Sequence, residues 1–414
     1  MKALLGRLIA IGFGLLFAII LIEAIGRWLH LLPVALDETY FDVREDVGAY
    51  PEPYSYFWWS NSETNERIWV QFNSASRRDI EHEYDKPDDV TRIMFLGDSY
   101  TAGWQHPIDQ TYVARLRDWL GQDVQVLNAG FHGWGTDRQY LYYRGEGYRY
   151  DSDLVVLQIY VGNDVIDNGV GVLQAVTLED GRLIAPYVQA PVRPYFTLND
   201  DDELVFTPPR RLHPTRSEQV GGIRSFLRTY SFTYTLIEQL FSTASIPSLI
   251  TAEDAQQPTE LPIDYYAYSP ESQQRDDWAQ AWVITEALLI TLRDEVEVHG
   301  GELVVLLVDT RWQHDRIGYQ EFLTDWDIPD DWTGEQLGNQ MRDLLDTLDI
   351  PYLAPLPALL EFEDQTGNLI NLRRDGHWSD VGHCVVAVEL HEWLLENNRI
   401  TTNEETITSL EQCS

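Results

Sequence analysis

Residues 92–103 read Arg92-Ile-Met-Phe-Leu-Gly97-Asp98-Ser99-Tyr100-Thr101-Ala102-Gly103. A short apolar run ends in glycine and passes at once into small polar residues. An unbroken run of this length suits a strand buried on both faces, as in a parallel sheet. Moving outward, the pattern repeats. Val124–Leu127 ends at Asn128, Leu154–Val161 ends at Gly162, Leu303–Val308 is a fourth run, and Ile350–Leu353 a fifth. Helical patterns lie between them over about 110–120, 136–147, 272–299 and 335–348, and a last helix is expected from Asp380 to Glu396. Strand alternating with helix implies an α/β fold, a three-layer sandwich with a central parallel sheet of about five strands.

In an open parallel sheet, ligands bind beyond the carboxyl ends of the strands. Three strands end there in small polar or glycine-rich clusters: Gly97–Gly103, Asn128–Thr136 and Gly162-Asn163-Asp164. A fourth cluster, Asp375-Gly376-His377-Trp378-Ser379-Asp380-Val381-Gly382-His383, precedes the last helix. Each part suits acyl transfer. A serine hydroxyl is a weak nucleophile and needs an adjacent base, so Ser99 is paired with His377. Asp375 is placed to hold the imidazole tautomer and to stabilise the imidazolium. The oxyanion needs donors already aimed at it, and the Ser99 amide, the Gly133 amide and the Asn163 side chain suit that task. A side chain at Gly133 is expected to block close backbone approach.

Each cluster alone has a plainer reading. Gly-Asp-Ser after a strand serves as a helix N-cap, and Asn-Ala-Gly serves as a turn. His383, near the start of the last helix, reads as structural, and His132 as substrate-adjacent at most. The order and placement of all four clusters favour the catalytic reading.

The four clusters resemble blocks I, II, III and V of the SGNH/GDSL hydrolase superfamily. In the resemblance Ser99 matches the nucleophile, Gly133 and Asn163 the oxyanion-hole residues, and Asp375 and His377 the last block. The family's usual spacing there is Asp-x-x-His. Here it is Asp-x-His followed by Trp, similar to the branch containing alginate-type O-acetyltransferases. The resemblance covers about 70–165 and 280–396. It implies a five-stranded parallel sheet in flavodoxin-like order and no cofactor. Substrates across the family range from lipids to acetylated sugars, so the resemblance leaves the substrate open.

The rest of the chain places this domain. Acidic residues number 67 against 29 basic, a formal charge of −38. So negative a surface repels nucleic acid and anionic headgroups. No Cys/His cluster has zinc-ligand spacing, so no metal is expected. Two cysteines, Cys384 and Cys413, are no disulfide framework, though a tail folding back would bring them together. Lys2 and Arg7 precede an apolar run, Leu8–Ile22, extended by Trp28, Leu29, Leu31 and Leu32. Residues 1–36 are therefore expected to form a transmembrane signal-anchor helix with the remainder extracytoplasmic; a cleaved signal peptide is the competing reading. Residues 37–90 form a lead-in, 91–164 and 271–400 the hydrolase domain, 165–270 an insertion or lid, and 401–414 a tail.

The expected function is an extracytoplasmic serine esterase acting on small acyl esters, with acetyl groups on a glycan as the expected substrate class. The alternatives are a polysaccharide O-acetyltransferase, which needs a membrane acyl-donor partner, and a catalytically inactive binding scaffold. Aromatics of the insertion (Tyr187, Tyr195, Phe196, Tyr230 and Tyr234) are expected either to stack on sugar rings or to form a local core.

Overall fold

The structure, a computed structural model, describes residues 2–29, 41–61, 63–64, 66–174, 176–177, 183–184, 193–209, 233–234, 267–329, 331–332, 334–400 and 409–413. The chain divides into two units. The smaller comprises Met1–Tyr40 and His213–Gln257. Its described part is a 28-residue helix, Lys2–Leu29, and the pair Thr233–Tyr234, with the Thr233 amide donating to Glu23 Oε2 at 2.8 Å. Among the described residues no helix is long and apolar enough to cross a membrane. The expected transmembrane span therefore has no support from the structure.

The larger unit comprises Phe41–Leu212 and Pro258–Ser414. It opens with two antiparallel hairpins: β1 (Phe41–Arg44) with β2 (Gly48–Pro51), and β3 (Tyr56–Ser60) with β4 (Arg67–Gln71). The apolar runs then form the sheet: β5 (Thr91–Gly97), β6 (Val124–Gly130), β7 (Leu154–Tyr160), β12 (Glu302–Val308) and β13 (Tyr352–Leu353). Their order is β13-β12-β7-β5-β6, and every pairing is parallel. In chain order that is 2-1-3-4-5, the flavodoxin-like arrangement, with its switch point between β5 and β7.

Side chains alternate across the sheet, and both faces are buried. Met94 and Leu96 of β5 join one core with the helices Thr136–Gly145, Asp276–Val298 and Glu335–Thr347. Ile93 and Phe95 join the other with Tyr112–Leu120, Leu356–Thr366 and Asp380–Glu396. Full burial of each such side chain contributes roughly 1.5–3 kcal/mol, which explains why the runs are continuous rather than alternating.

Three details differ from the sequence reading. β6 extends through Asn128 to Gly130, because the Asn128 side chain is satisfied inside the fold: Nδ2 donates to Thr101 O at 3.0 Å and Oδ1 accepts from the Gly130 amide at 2.9 Å. Helices at Arg311–His314, Arg316–Asp325 and Leu356–Thr366 occupy stretches that carried no clear helical period. Within the insertion, β8 (Val176–Thr177) pairs β9 (Leu183–Ile184), and β10 (Tyr195–Leu198) pairs β11 (Leu204–Thr207). Phe196 is buried, with its ring 6.0 Å from Tyr140 and 5.7 Å from Phe206, so it belongs to a local core rather than to a sugar-stacking surface. Buried Arg193 ties the insertion to the sheet domain, donating to Asp167 at 2.5 Å and to both oxygens of Asp137 at 2.7 and 2.8 Å. Tyr187, Tyr230 and most of the expected lid lie outside the described residues.

Cys384 and Cys413 form a disulfide, Cα–Cα 5.5 Å. It links the last helix to the short turn Leu410–Cys413.

Candidate active site

The turn after β5 is built from its own neighbours. Asp98 is the N-cap of the short helix Ser99–Ala102, and its Oδ1 accepts the Tyr100 amide at 2.8 Å. Gly103 closes the helix in the left-handed region, its amide donating to Ser99 O. Capping at both ends of four residues leaves Ser99 at the first helical position, beside the switch point of the sheet. Asp98 is fully buried and Oδ2 makes no hydrogen bond. Burial pushes its carboxyl up to about 6, despite the Tyr100 amide and the nearby His377.

The last block arrives from the other end of the chain as a tight loop. Asn371 and Trp378 form an isolated antiparallel bridge, and the Leu372 amide donates to His377 O at 2.8 Å. Gly376 lies inside the loop at φ +90, a conformation that side chains rarely adopt. A Cβ there would also meet Arg311 Cδ at 2.8 Å. This glycine lets a spacing of only two residues fold back, so that Asp375 Oδ1 bonds His377 Nδ1. The opposite ring nitrogen, Nε2, stands 2.7 Å from Ser99 Oγ. Burial favours the neutral Asp375 carboxyl, but the hydrogen bond and charge of His377 outweigh it and hold Asp375 below its ordinary range.

Ser99, His377 and Asp375 are thus joined in one chain of hydrogen bonds. The other two expected residues sit at the ends of the neighbouring strands. Gly133 follows β6 at φ +71, and a Cβ would meet nothing within 4 Å. No protein atom crowds this position, and the positive φ independently favours glycine. Asn163 is the N-cap position of the helix Asp164–Asn168, with its Oδ1 buried. Among the described residues, neither the Ser99 nor the Gly133 amide is taken by a backbone carbonyl.

The two remaining histidines of the motifs separate. His383 is buried in the core, its ring stacked 6.0 Å from Tyr112 and its Nδ1 accepting the Tyr112 amide at 3.4 Å. Burial, with the neighbouring His106, keeps it well below the ordinary imidazole range. His132 is exposed and stacks on Trp104 at 4.6 Å, with Trp59 at 6.3 Å. Trp59 and Trp104 carried no motif signal, and their place on this wall follows only from how the β3–β4 hairpin packs. Among the described residues no group of three or more His, Cys, Asp or Glu is placed to hold a metal ion.

No family model matches the chain, and no curated protein matches it. Solved structures are similar to it at low identity. The acetyl xylan esterase AlAXEase is 10% identical with TM-score 0.37, the match covering 73% of this chain and 99% of that one. The lipase/acylhydrolase from Enterococcus faecalis is 13% identical with TM-score 0.36, covering 76% and 100%. The aryl esterase of M. smegmatis is 12% identical with TM-score 0.35, covering 74% and 99%. Likeness of this size carries no functional weight, and the chemistry rests on the geometry of the site.

Proposed function

We propose that this chain is a serine hydrolase of the SGNH kind that cleaves small acyl esters, with acetyl esters on a glycan as the leading substrate class. The observation that carries the reading is the hydrogen-bond chain from Asp375 Oδ1 through both ring nitrogens of His377 to Ser99 Oγ. In this reading Ser99 Oγ attacks the ester carbonyl while its proton passes to His377 Nε2. The Ser99 and Gly133 amides and the Asn163 side-chain amide donate to the oxyanion. The alcohol leaves with the proton from Nε2, and an acyl-Ser99 ester remains. Water then gives a proton to Nε2, attacks the acyl carbon and releases the acid, and Ser99 recovers its proton. Asp375 stays ionised throughout, consistent with its depressed pKa.

An extracytoplasmic setting is supported by the Cys384–Cys413 disulfide, since such bonds persist mainly in oxidising compartments. Association with a membrane through the N-terminal helix is supported by the exposed side chains of Phe13, Leu16, Phe17 and Ile20.

The test is labelling with a fluorophosphonate and turnover of an ester panel of graded chain length beside an acetylated glycan. Labelling of the parent, its loss in Ser99→Ala at unchanged melting temperature, and highest turnover on acetyl esters are expected. Equal labelling of parent and variant removes Ser99 as nucleophile, and no turnover of any ester returns the inactive-scaffold reading. The O-acetyltransferase reading is favoured by one feature, the Asp375-Gly376-His377-Trp378 block. Acetate released from a small acetyl ester without added sugar supports hydrolysis; transfer only in the presence of an oligosaccharide supports the transferase.

A further inference from the structure

The tip of the β3–β4 hairpin reaches the loop that carries Asp375. Glu63 Oε1 accepts the backbone N–H of Arg374 at 2.5 Å and of Asp375 at 3.2 Å. Glu63 is itself held in place: Asn61 Oδ1 accepts the amides of Glu63 at 2.9 Å and Thr64 at 3.1 Å, an Asx turn. Asn61 is buried, and its Nδ2 donates to Gln105 O at 3.3 Å, in the segment that follows the nucleophile helix. The same hairpin is fastened below by Phe57 and Trp59, whose rings lie 4.9 and 6.0 Å from Trp104. One short tip therefore grips both the nucleophile segment and the acid–base segment.

The contacts on the Asp375 loop divide by chemistry. Its carbonyls are held from one side: Tyr100 Oη donates to Gly376 O at 3.1 Å, and Arg311 Nη2 donates to Arg373 O at 2.6 Å. The amides of Arg374 and Asp375 go to Glu63. The Asp375 amide lies directly before the Asp375 Cα and the Arg374 amide one residue earlier, so holding both fixes the backbone that aims the carboxylate at His377 Nδ1. A carboxylate is the strongest acceptor available for the purpose.

We infer that Glu63 is a positioning residue for the Asp375–His377 pair, acting through the Arg374 and Asp375 amides. The inference rests on the serine-hydrolase reading for its kinetic consequence but not for its structural one. Glu63 touches neither Ser99 nor the imidazole, so its loss leaves substrate binding intact and misaims the base.

The experiment compares the parent full chain with Glu63→Ala, Glu63→Asp and Glu63→Gln. Misplacing a catalytic group by about 1 Å costs up to roughly 100-fold, so Glu63→Ala is expected to lower kcat by roughly 10- to 100-fold with KM within about twofold. Glu63→Gln keeps an oxygen acceptor at the same reach and is expected to recover most of that loss. Glu63→Asp withdraws the carboxylate by one methylene and should fall between; it serves as the test variant if Glu63→Ala melts below the assay temperature. The downfield proton resonance of His377 Nδ1–H, assigned through its loss in His377→Ala, should broaden or vanish in Glu63→Ala and persist in Glu63→Gln. Unchanged kcat and an unchanged resonance in Glu63→Ala overturn the inference. So does equal loss in the Ala and Gln variants. A parent that neither labels nor turns over esters sinks the hydrolase reading instead, and the resonance still decides whether Glu63 positions the pair.

Discussion

The two segments that meet at Ser99 Oγ are held in different ways. The turn that carries Ser99 is capped from within and pinned by the flanking strands: Asp98 caps it, Gly103 closes it, Asn128 Nδ2 on one neighbouring strand donates to Thr101 O, and Gln158 Oε1 on the other accepts the Asp98 amide. The acid–base loop depends on distant residues. Tyr100, Arg311 and Glu63 hold its backbone, the last from 311 and 312 positions away. A strand-to-helix turn caps itself and rests on the strands beside it, whereas a loop closed on itself by the Asn371–Trp378 bridge takes its remaining hydrogen bonds from elsewhere. Changes on the nucleophile side should therefore alter chemistry and spare the fold, and changes around the loop should couple the two.

The largest contrast is between two histidines six residues apart. His377→Ala should lower kcat by roughly 10⁴-fold or more and leave the melting temperature close to the parent's, because the ring is half-buried at the site. His383→Ala should do the reverse. It removes a ring packed against Tyr112 and Trp378, costs stability on the order of 2–4 kcal/mol, and leaves turnover per folded molecule nearly unchanged. Thermal melts and active-site titration read both. If His383→Ala abolishes turnover while remaining folded, the division of labour is wrong.

A middle-sized effect is expected at the loop's glycine. Gly376→Ala places a side chain at φ +90 and against Arg311. Strain of this kind costs about 1–3 kcal/mol, and the loop should relieve part of it by drawing Asp375 away from His377. A roughly tenfold or greater loss of kcat, together with a lower melting temperature, is the expected signature. A fall in melting temperature with kcat intact would break the coupling claimed for the loop.

The smallest effect tests the local turn. The Asp98 carboxyl is pushed up to about 6, above its ordinary 3.8, by burial. A raised folded-state value means that the fold holds the proton more tightly than the open chain. The stabilisation is thus fully present below about pH 4 and lost as pH rises through about 6. Asp98→Asn mimics the protonated form and retains the capping oxygen. It should raise the melting temperature at pH 8 and leave it unchanged at pH 4. Turnover should fall only a few-fold, through the lost charge near His377. A melting-temperature gain equal at both pH values would point to packing rather than to proton binding.

Much of this design could be read from the chain because its elements are local. Five apolar runs, three of them followed at once by a small polar or glycine-rich cluster, report burial on both faces and turns at the carboxyl ends; no distant contact is needed to see them. The pairing of Ser99 with His377 was legible for a related reason: both belong to clusters whose residue types have one shared chemistry. The N-terminal run was read as a membrane span from hydropathy alone, and the structure lends that reading no support.

What the sequence by itself determined is the alternation of strands and helices, the position of the turn that carries Ser99, and the grouping of Ser99 with His377 and Asp375. These follow from side-chain type and short-range spacing. Only the tertiary structure decided that Cys384 meets Cys413, that Gly133 takes a left-handed torsion, and that Trp59 and Trp104 line the wall beside His132. It also decided that Glu63 supports Asp375. For Glu63 the physical reason is plain. Main-chain amides are present at nearly every residue and carry no sequence signature, so which carboxylate they meet is settled by how a remote hairpin packs.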